Sequence, residues 1–227
     1  MIHRDKILKG YSGSSPIFPL PNFVMFPNIG NEFLIFEPRY IEMVQNVIEN
    51  ERFITITLLK PNWNNDYENS PKIYQIGTLC YLKKFENRKD GKYKIILFGV
   101  DKVEINEAEQ TKNYRIAATT STNEIISSID EKEKYKILID RFSNLFGQSN
   151  ESLSLSYLSN EEPNLEILVN FISMAMDIPI EEKQKLLELP EIGLRYEVLL
   201  HFIDNEISIN KSILDYTQIM PLDDSIN

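Results

Sequence analysis

Residues 17–40 read IFPLPNFVMFPNIGNEFLIFEPRY, and this stretch decides the fold class. Its aromatic and β-branched residues favour strands, but Pro19, Pro21 and Pro27 interrupt them. Because proline has no backbone N–H, we expect these three residues at strand ends and turns. Pro38 fits the first position of a helix. The stretch therefore predicts strands joined by turns, followed by one early helix.

The next part of the chain continues the strand pattern. Alternating apolar and polar residues predict strands over residues 53–59, 73–85, 92–105 and 114–120. In the first of these, Ile54, Ile56 and Leu58 are expected on one face. Asp90 and Gly91 are expected to supply the positive-φ residues of a tight hairpin. Gly77 and Gly99 lie inside predicted strands, where glycine marks a bulge or a close backbone approach.

After residue 124 the apolar residues recur at helical spacing. Strands first and helices second predict an α+β fold, in which a compact β unit carries an appended α-helical bundle. We divide the chain into a flexible leader (1–15), a β-barrel subdomain (16–122), a helical bundle subdomain (123–210) and a C-terminal tail (211–227).

The two halves of the chain differ in charge. Residues 1–120 hold 16 Lys or Arg against 14 Asp or Glu, whereas residues 121–227 hold 8 against 20. The acidic second half would repel nucleic acid and anionic membranes. Nucleic acid is therefore a disfavoured partner, which only the first half could contact. No apolar run approaches the ~20 residues of a membrane helix, so no membrane partner is expected.

Composition and motifs favour no catalytic chemistry. A single cysteine, Cys80, and a start without an apolar signal segment suit the cytoplasm. His3 and His201 lack metal-ligand spacing with that cysteine. No glycine fits a phosphate-binding loop, and no serine lies in a G-x-S-x-G or S-x-x-K motif. We therefore predict no catalytic residue, no cofactor and no metal.

The blocks FPLPNFVMFP, IFEPRYIEMV, IYQIGT, KYKIILFGVDKVEI, YRIAA and MDIPIEEKQKLLEL occur in this order along the chain. Together they resemble the N-terminal domain of the Lon protease family over roughly residues 15–210. The resemblance implies a PUA-like β pseudo-barrel with one early helix, a helical bundle and a role in recognising protein substrates. Asn28, Glu32 and Leu34 depart from the family pattern, and Asn28 is the non-glycine residue that best tolerates a left-handed backbone. Lon proteases carry ATPase and peptidase modules after this domain. This sequence ends at Asn227 and has no phosphate-binding loop, so we expect a stand-alone, non-enzymatic domain.

The candidate binding residues are aromatic. Trp63 and Tyr67 lie in the polar loop PNWNNDYENSP, where exposure would suit peptide contact, while folding back onto the barrel would make them a lid. Phe33 is a third candidate. The expected partners are unfolded or partner polypeptides. A separate Lon-type ATPase or protease, served by this chain as an accessory subunit or fragment, is an alternative.

Two charged groups have competing interpretations. A structural joint between barrel and helix is predicted at Glu37, Pro38, Arg39 and Tyr40. In this joint Glu37 caps the helix and Arg39 pairs with an acid of the barrel. The alternative is that Arg39 binds a substrate carboxylate. The basic hairpin holds Lys83, Lys84, Arg88 and Lys89. PUA-like folds can bind RNA, so this hairpin carries the RNA-binding alternative, although a solvated hairpin tip is favoured.

Overall fold

The computed structural model describes residues 4–66, 70–107, 112–123, 125, 131–145 and 164–219. The strands are β1 (Ser14–Leu20), β2 (Gly30–Ile35), β3 (Phe53–Leu58), β4 (Ile76–Asn87), β5 (Tyr93–Glu107) and β6 (Ile116–Ser121). The helices are α1 (Arg4–Leu8), α2 (Pro38–Glu49), α3 (Glu131–Leu145), α4 (Leu165–Ala175), α5 (Ile180–Glu188) and α6 (Ile192–Ile219). A short 3₁₀ helix spans Trp63–Asp66.

The strands form one sheet in the order β2-β5-β4-β3-β1-β6, and β6 pairs back onto β5. This second pairing closes a barrel of five strands and leaves β2 outside the closure, attached to β5. β1 and β3 run parallel, whereas the other pairs are antiparallel. The predicted α+β class is confirmed: a closed β-barrel with an early helix precedes several further helices.

The turn residues differ in detail from the prediction. Pro38 does open α2, but Pro19 lies inside β1 rather than at its end. In the β4–β5 hairpin, only Gly91 has a positive φ, of 78°; Asp90 is not left-handed. Since Arg88 N–H donates to Lys92 O over 2.9 Å, the loop is wider than a two-residue turn and needs one left-handed position.

Strand β3 is buried on both faces. Ile54 and Ile56 pack into the cluster beneath α2, whereas Phe53 joins a second cluster on the other side of the sheet. Thr55 remains buried because its hydroxyl is hydrogen-bonded to the Ser15 hydroxyl at 2.7 Å. This hydrogen bond offsets the cost of burying the polar side chain of Thr55 in the core.

The second apolar cluster is covered by the beginning of the chain. The ring of Tyr11 lies 4.8 Å from that of Phe53, and its hydroxyl is 2.6 Å from Thr119 Oγ1. Arg4 of α1 forms an ion pair with Asp101 of β5. Part of the predicted leader therefore packs on the barrel, while the proposed subdomain boundaries themselves stay a prediction.

Both strand glycines mark close backbone approaches, as predicted. A Cβ at Gly77 would lie 2.5 Å from Ile56 O, and one at Gly99 would overlap the carbonyl of Phe26. The β4–β5 register also shifts next to Gly99, between Leu79 and Cys80. These contacts explain why side chains are excluded from both positions.

A buried polar group joins the barrel to the helices. Arg195 of α6 is fully buried and donates from Nε to Leu186 O over 2.7 Å and from Nη1 to Asn170 Oδ1. Asn170 of α4 in turn donates to Pro27 O over 3.1 Å. The Arg195 guanidinium also lies 5.5 Å from the Phe26 ring centroid. The helices therefore hold the turn between β1 and β2 directly.

Helix α6 continues past the predicted start of the tail at residue 211 and ends at Ile219, before Pro221. The periodicity weakens there, but no residue that breaks a helix occurs before that proline. Among the described residues, no helix is both long enough and apolar enough to cross a bilayer.

Candidate functional site

Phe33, on the outermost strand, belongs to an aromatic group rather than to a free surface. Its ring centroid lies 5.3 Å from that of Phe23, edge to face, and 5.9 Å from that of Phe18. The side chain is half-buried against the cluster beneath α2. Phe33 therefore presents one part of its ring to solvent and is fixed in position by the other.

The exposed apolar residues of this region are its neighbours. Leu34 is 48% exposed, and Phe36, just beyond the end of β2, is 61% exposed. Phe85 of β4 is 42% exposed and lies in the same cross-strand row as Phe33, with Ile95 of β5 between them. Successive residues of a strand point to opposite faces, so Phe33 faces the cluster beneath α2 while Leu34 faces away from it. We call the exposed residues Leu34 and Phe36 the β2 surface. It is rigid because β2 is hydrogen-bonded along its whole length to β5.

Trp63 lies elsewhere on the molecule. It begins the 3₁₀ helix in the β3–β4 connection and is half-buried, intermediate between the exposed and the lid interpretations. In sheet order, β5 and β4 separate β2 from β3, so Trp63 and Phe33 come from different parts of the barrel. Tyr67 lies outside the described residues.

The Glu37–Tyr40 segment forms a local ion pair. Arg39 Nη2 lies 2.9 Å from Glu37 Oε2, so Arg39 forms an ion pair with a neighbour in sequence. The Glu37 side chain makes no capping hydrogen bond; its backbone carbonyl instead accepts from the amides of Tyr40 and Ile41 at 3.0 Å and 2.9 Å. The Arg39 guanidinium stacks 4.7 Å above the Tyr40 ring. These contacts fix the start of α2.

The basic hairpin is exposed and partly neutralised. Asp90 lies 3.6 Å from Arg88 and 3.3 Å from Lys92, and Lys94 lies 2.9 Å from Glu32 of β2. Its other lysines, Lys83, Lys84 and Lys89, are exposed and make no ion pair with the described part of the chain. The hairpin therefore keeps a positive surface beside β2.

The groups that could carry covalent or metal chemistry are placed for structural roles. Cys80 is fully buried, and burial raises the pKa of its thiol well above the ordinary value, which disfavours the nucleophilic thiolate. His201 is exposed on α6 and lies 3.1 Å from Asn205 Nδ2. Within the described ranges, no three His, Cys, Asp or Glu side chains are grouped as metal ligands.

Sequence reasoning overlooked Leu34 and Phe36 as surface residues. Apolar residues in a strand pattern indicate burial, and Phe36, which directly follows the apolar residues of β2, gives no sign that the chain leaves the core there. The one signal was Leu34 itself, since it replaces a polar residue of the family pattern. An apolar residue at a position that is normally polar indicates an outward-facing side chain.

The barrel, the early helix and the bundle that grips the β1–β2 turn define an α+β domain with an exposed apolar strand. Residues 14–205 match the family described as the "ATP-dependent protease La (LON) substrate-binding domain", so the chain belongs to this family. The resemblance read from the sequence is confirmed. The matching part is a substrate-binding domain, which is a non-catalytic module.

Curated proteins similar to this chain are named Lon proteases. The chain is 27% identical to Lon protease 1 of Bdellovibrio bacteriovorus over 218 residues, covering 91% of this chain and 27% of that protein. It is 25% identical to the Lon protease of Chloroherpeton thalassium over 208 residues, covering 88% and 24% respectively. The chain thus spans about a quarter of the length of these curated relatives.

Solved structures support the fold. The N-terminal domain of the Mycobacterium avium complex Lon protease superposes with a TM-score of 0.66 at 13% identity, covering 84% of this chain and 98% of that one. The Lon N-terminal domain protein from Xanthomonas campestris gives a TM-score of 0.59 at 16% identity, covering 83% and 97%. At these identities the likeness concerns the fold alone.

Proposed function

We propose that this chain is a non-enzymatic module that binds unfolded or partner polypeptides in the cytoplasm. One observation carries the proposal: a chain of a substrate-binding family exposes the large apolar side chains of Leu34 and Phe36 on and just beyond strand β2. Folded proteins bury most of their large apolar side chains, so an exposed apolar surface selects segments that are not folded.

Binding rests on apolar contact. Leu34 and Phe36 supply the area that a bound segment covers. Phe33 holds the strand in place from the opposite face, where its ring packs against Phe23. Burying one such side chain contributes about 1.5–3 kcal/mol before the cost of association is subtracted. Weak, sequence-tolerant binding follows, as suits a module that samples many polypeptides. We also propose that Trp63 and Tyr67, in the connection between β3 and β4, contact the bound polypeptide at a second place.

A catalytic partner completes the proposal. The relatives named Lon proteases are about four times as long as the region that this chain matches. We propose that polypeptides bound here pass to an ATP-dependent protease, which is a separate chain or a longer form of this one. Co-purification of an ATPase with the tagged protein supports the separate chain. Absence of an ATPase under conditions that retain bound polypeptide contradicts the separate chain, and absence of a longer form on an immunoblot of cell extract contradicts the other arrangement.

The test uses a permanently unfolded protein and matched variants. Fluorescence anisotropy of labelled, reduced and carboxymethylated α-lactalbumin reports binding. The double variant Leu34→Ser, Phe36→Ser is expected to weaken binding at least about tenfold, which corresponds to ~1.4 kcal/mol. Leu194→Ser is the control, because Leu194 is 45% exposed on α6. Equal affinity of all three proteins, or no binding by the wild type, contradicts the proposal.

The RNA-binding alternative keeps one specific observation in its favour, the exposed Lys83, Lys84 and Lys89 of the hairpin. It requires affinity that falls steeply with salt concentration. A filter-binding assay with single-stranded RNA separates the two functions: we expect no retention at low salt. Retention that is lost when these lysines are replaced by glutamine supports RNA binding instead.

A further inference from the structure

Strand β2 has an edge that the barrel does not use. Closure occurs between β5 and β6, and within the described residues β2 pairs with β5 alone. The sheet order therefore ends at β2. An outermost strand presents a row of backbone N–H and C=O groups that another strand can pair with.

The hydrogen-bond pattern tells which residues of β2 face outward. Gly99 N–H donates to Ile29 O over 2.9 Å, and strand residues alternate in direction, so Asn31, Phe33 and Ile35 direct their backbone groups toward β5. The intervening residues direct theirs away from β5; they are Gly30, Glu32 and Leu34, and all three are exposed. One outward carbonyl, that of Glu32, accepts a solvent-exposed bond from Asn31 Nδ2 at 3.2 Å, which an incoming strand can replace.

The chain protects the part of β1 that extends beyond its pairing with β6, but it leaves the outward edge of β2 open. Ile17 N–H of β1 donates to Arg115 O, toward β6, and Pro19 occupies the same side of β1 two residues further on. Proline has no N–H, so strand pairing at that position is blocked. On β2, Gly30, Glu32 and Leu34 each keep an N–H on the outward side.

The charged and apolar side chains near the outward edge of β2 indicate which kind of polypeptide segment would bind there. The β2 surface favours apolar side chains along the bound segment. The hairpin over residues 83–94 carries six Lys or Arg against two carboxylates, and Lys94 lies directly opposite Leu34 in the β2–β5 register. A positive field next to the edge favours acidic residues at one end of the segment.

We propose that the outward edge of β2 binds an extended polypeptide segment, apolar in its middle and acidic at one end, as an added β-strand. Main-chain hydrogen bonds then provide affinity for many sequences, while Leu34, Phe36 and the hairpin lysines provide the preference. This inference rests on the proposed function and specifies its binding mode. A second copy of the chain at the same edge, or RNA on the hairpin, is a competing occupant that the experiment distinguishes.

The variants isolate the backbone contribution. Glu32→Pro removes one outward N–H and places a ring on the edge, yet it leaves the bonds to β5 intact because Glu32 faces away from that strand. Glu32→Ala is the control, since both variants lose the Glu32–Lys94 ion pair. Circular dichroism and urea midpoints verify that both variants are folded.

The probe is a labelled decapeptide in which valine alternates with threonine and two aspartates end the chain. We expect Glu32→Pro to raise its Kd at least about tenfold and Glu32→Ala to change it less than about threefold. An independent measurement uses the wild-type protein and two N-methylated peptides, one methylated at the odd-numbered residues and one at the even-numbered residues. Only one of these sets directs its N–H groups toward β2, so we expect one peptide to lose binding and the other to keep it. Equal Kd for both variants, or equal loss of binding by both methylated peptides, overturns strand addition.

The unfolded-protein assay keeps this result separate from the proposed function. If carboxymethylated α-lactalbumin binds the wild type and Glu32→Pro equally, polypeptide binding stands and strand addition fails. If the wild type binds neither probe, both fail. A concentration-dependent doubling of mass that Glu32→Pro abolishes identifies a second copy as the occupant and overturns the polypeptide assignment. RNA retention that survives Glu32→Pro overturns the role given to the hairpin.

Discussion

Asn28 Nδ2 donates a hydrogen bond to Glu166 Oε1 over 2.8 Å, and this contact joins the turn before β2 to the first turn of α4. Asn28 has a φ of 65°, as the substitution of asparagine for the family glycine had suggested. The same residue thus bends the backbone and anchors the bundle. The position of β2 depends on both roles.

The two roles of Asn28 are separable by mutation. Asn28→Gly loses the hydrogen bond and is expected to lower the free energy of unfolding by about 1 kcal/mol. Asn28→Ala loses the hydrogen bond and also puts alanine, which tolerates left-handed backbone less well than asparagine, at this φ of 65°; it is expected to cost about 2 kcal/mol. Urea denaturation measures both values. Identical values for the two variants contradict a left-handed requirement at this position.

Arg195 is expected to be among the most important residues for stability. Arg195→Met keeps much of the volume but leaves buried acceptors, including Leu186 O and Asn170 Oδ1, without this donor, so we expect a loss of about 3 kcal/mol or more. Arg141→Met is the control, because its ion pair with Asp204 at 2.8 Å is exposed; its loss is expected below about 1 kcal/mol. A similar small loss for both variants refutes a central role of the buried joint.

Cys80 gives a prediction about alkaline pH. Burial raises the pKa of the thiol in the folded state, so above roughly pH 9 the unfolded chain loses a proton that the folded chain keeps. The resulting stabilisation is complete below the unfolded pKa and declines as the pH rises, by up to about 1.4 kcal/mol per pH unit. The measurement is the urea midpoint from neutral to alkaline pH. Cys80→Ala should show a shallower decline; parallel curves would disprove the assignment.

The hairpin lysines are expected to act on charge alone. Replacing Lys83, Lys84 and Lys89 by glutamine should lower the affinity for the decapeptide that ends in aspartates several-fold at low salt concentration, and less at high salt concentration. The same decapeptide ending in asparagines is the control and should bind both proteins alike. If both peptides weaken equally, the lysines act through structure rather than through charge.

The sequence predicted elements whose signals are local. Pro38 starts α2, and Gly77 and Gly99 exclude side chains, because a single residue type determines each feature. The burial of β3 on the face of Phe53 has no local signal, since the leader that covers Phe53 lies far away in the sequence.

The candidate site was predicted only in part. Phe33, a predicted contact residue, is half-buried against the cluster beneath α2. Leu34 and Phe36 resemble core residues in a sequence and become exposed because β2 is outermost. The pairing of Arg195 with Asn170 also has no local signal, since an arginine on a helix indicates solvent exposure. Only the three-dimensional arrangement of strands and helices reveals both.

The most direct test of the account follows the backbone amides of isotope-labelled protein by NMR while carboxymethylated α-lactalbumin is added. We predict the largest shift changes at Gly30, Glu32, Leu34 and Phe36, with smaller changes across the hairpin. Unchanged β2 amides, with changes confined to α6 or to the Trp63 connection, would contradict the claim that β2 recognises extended polypeptides.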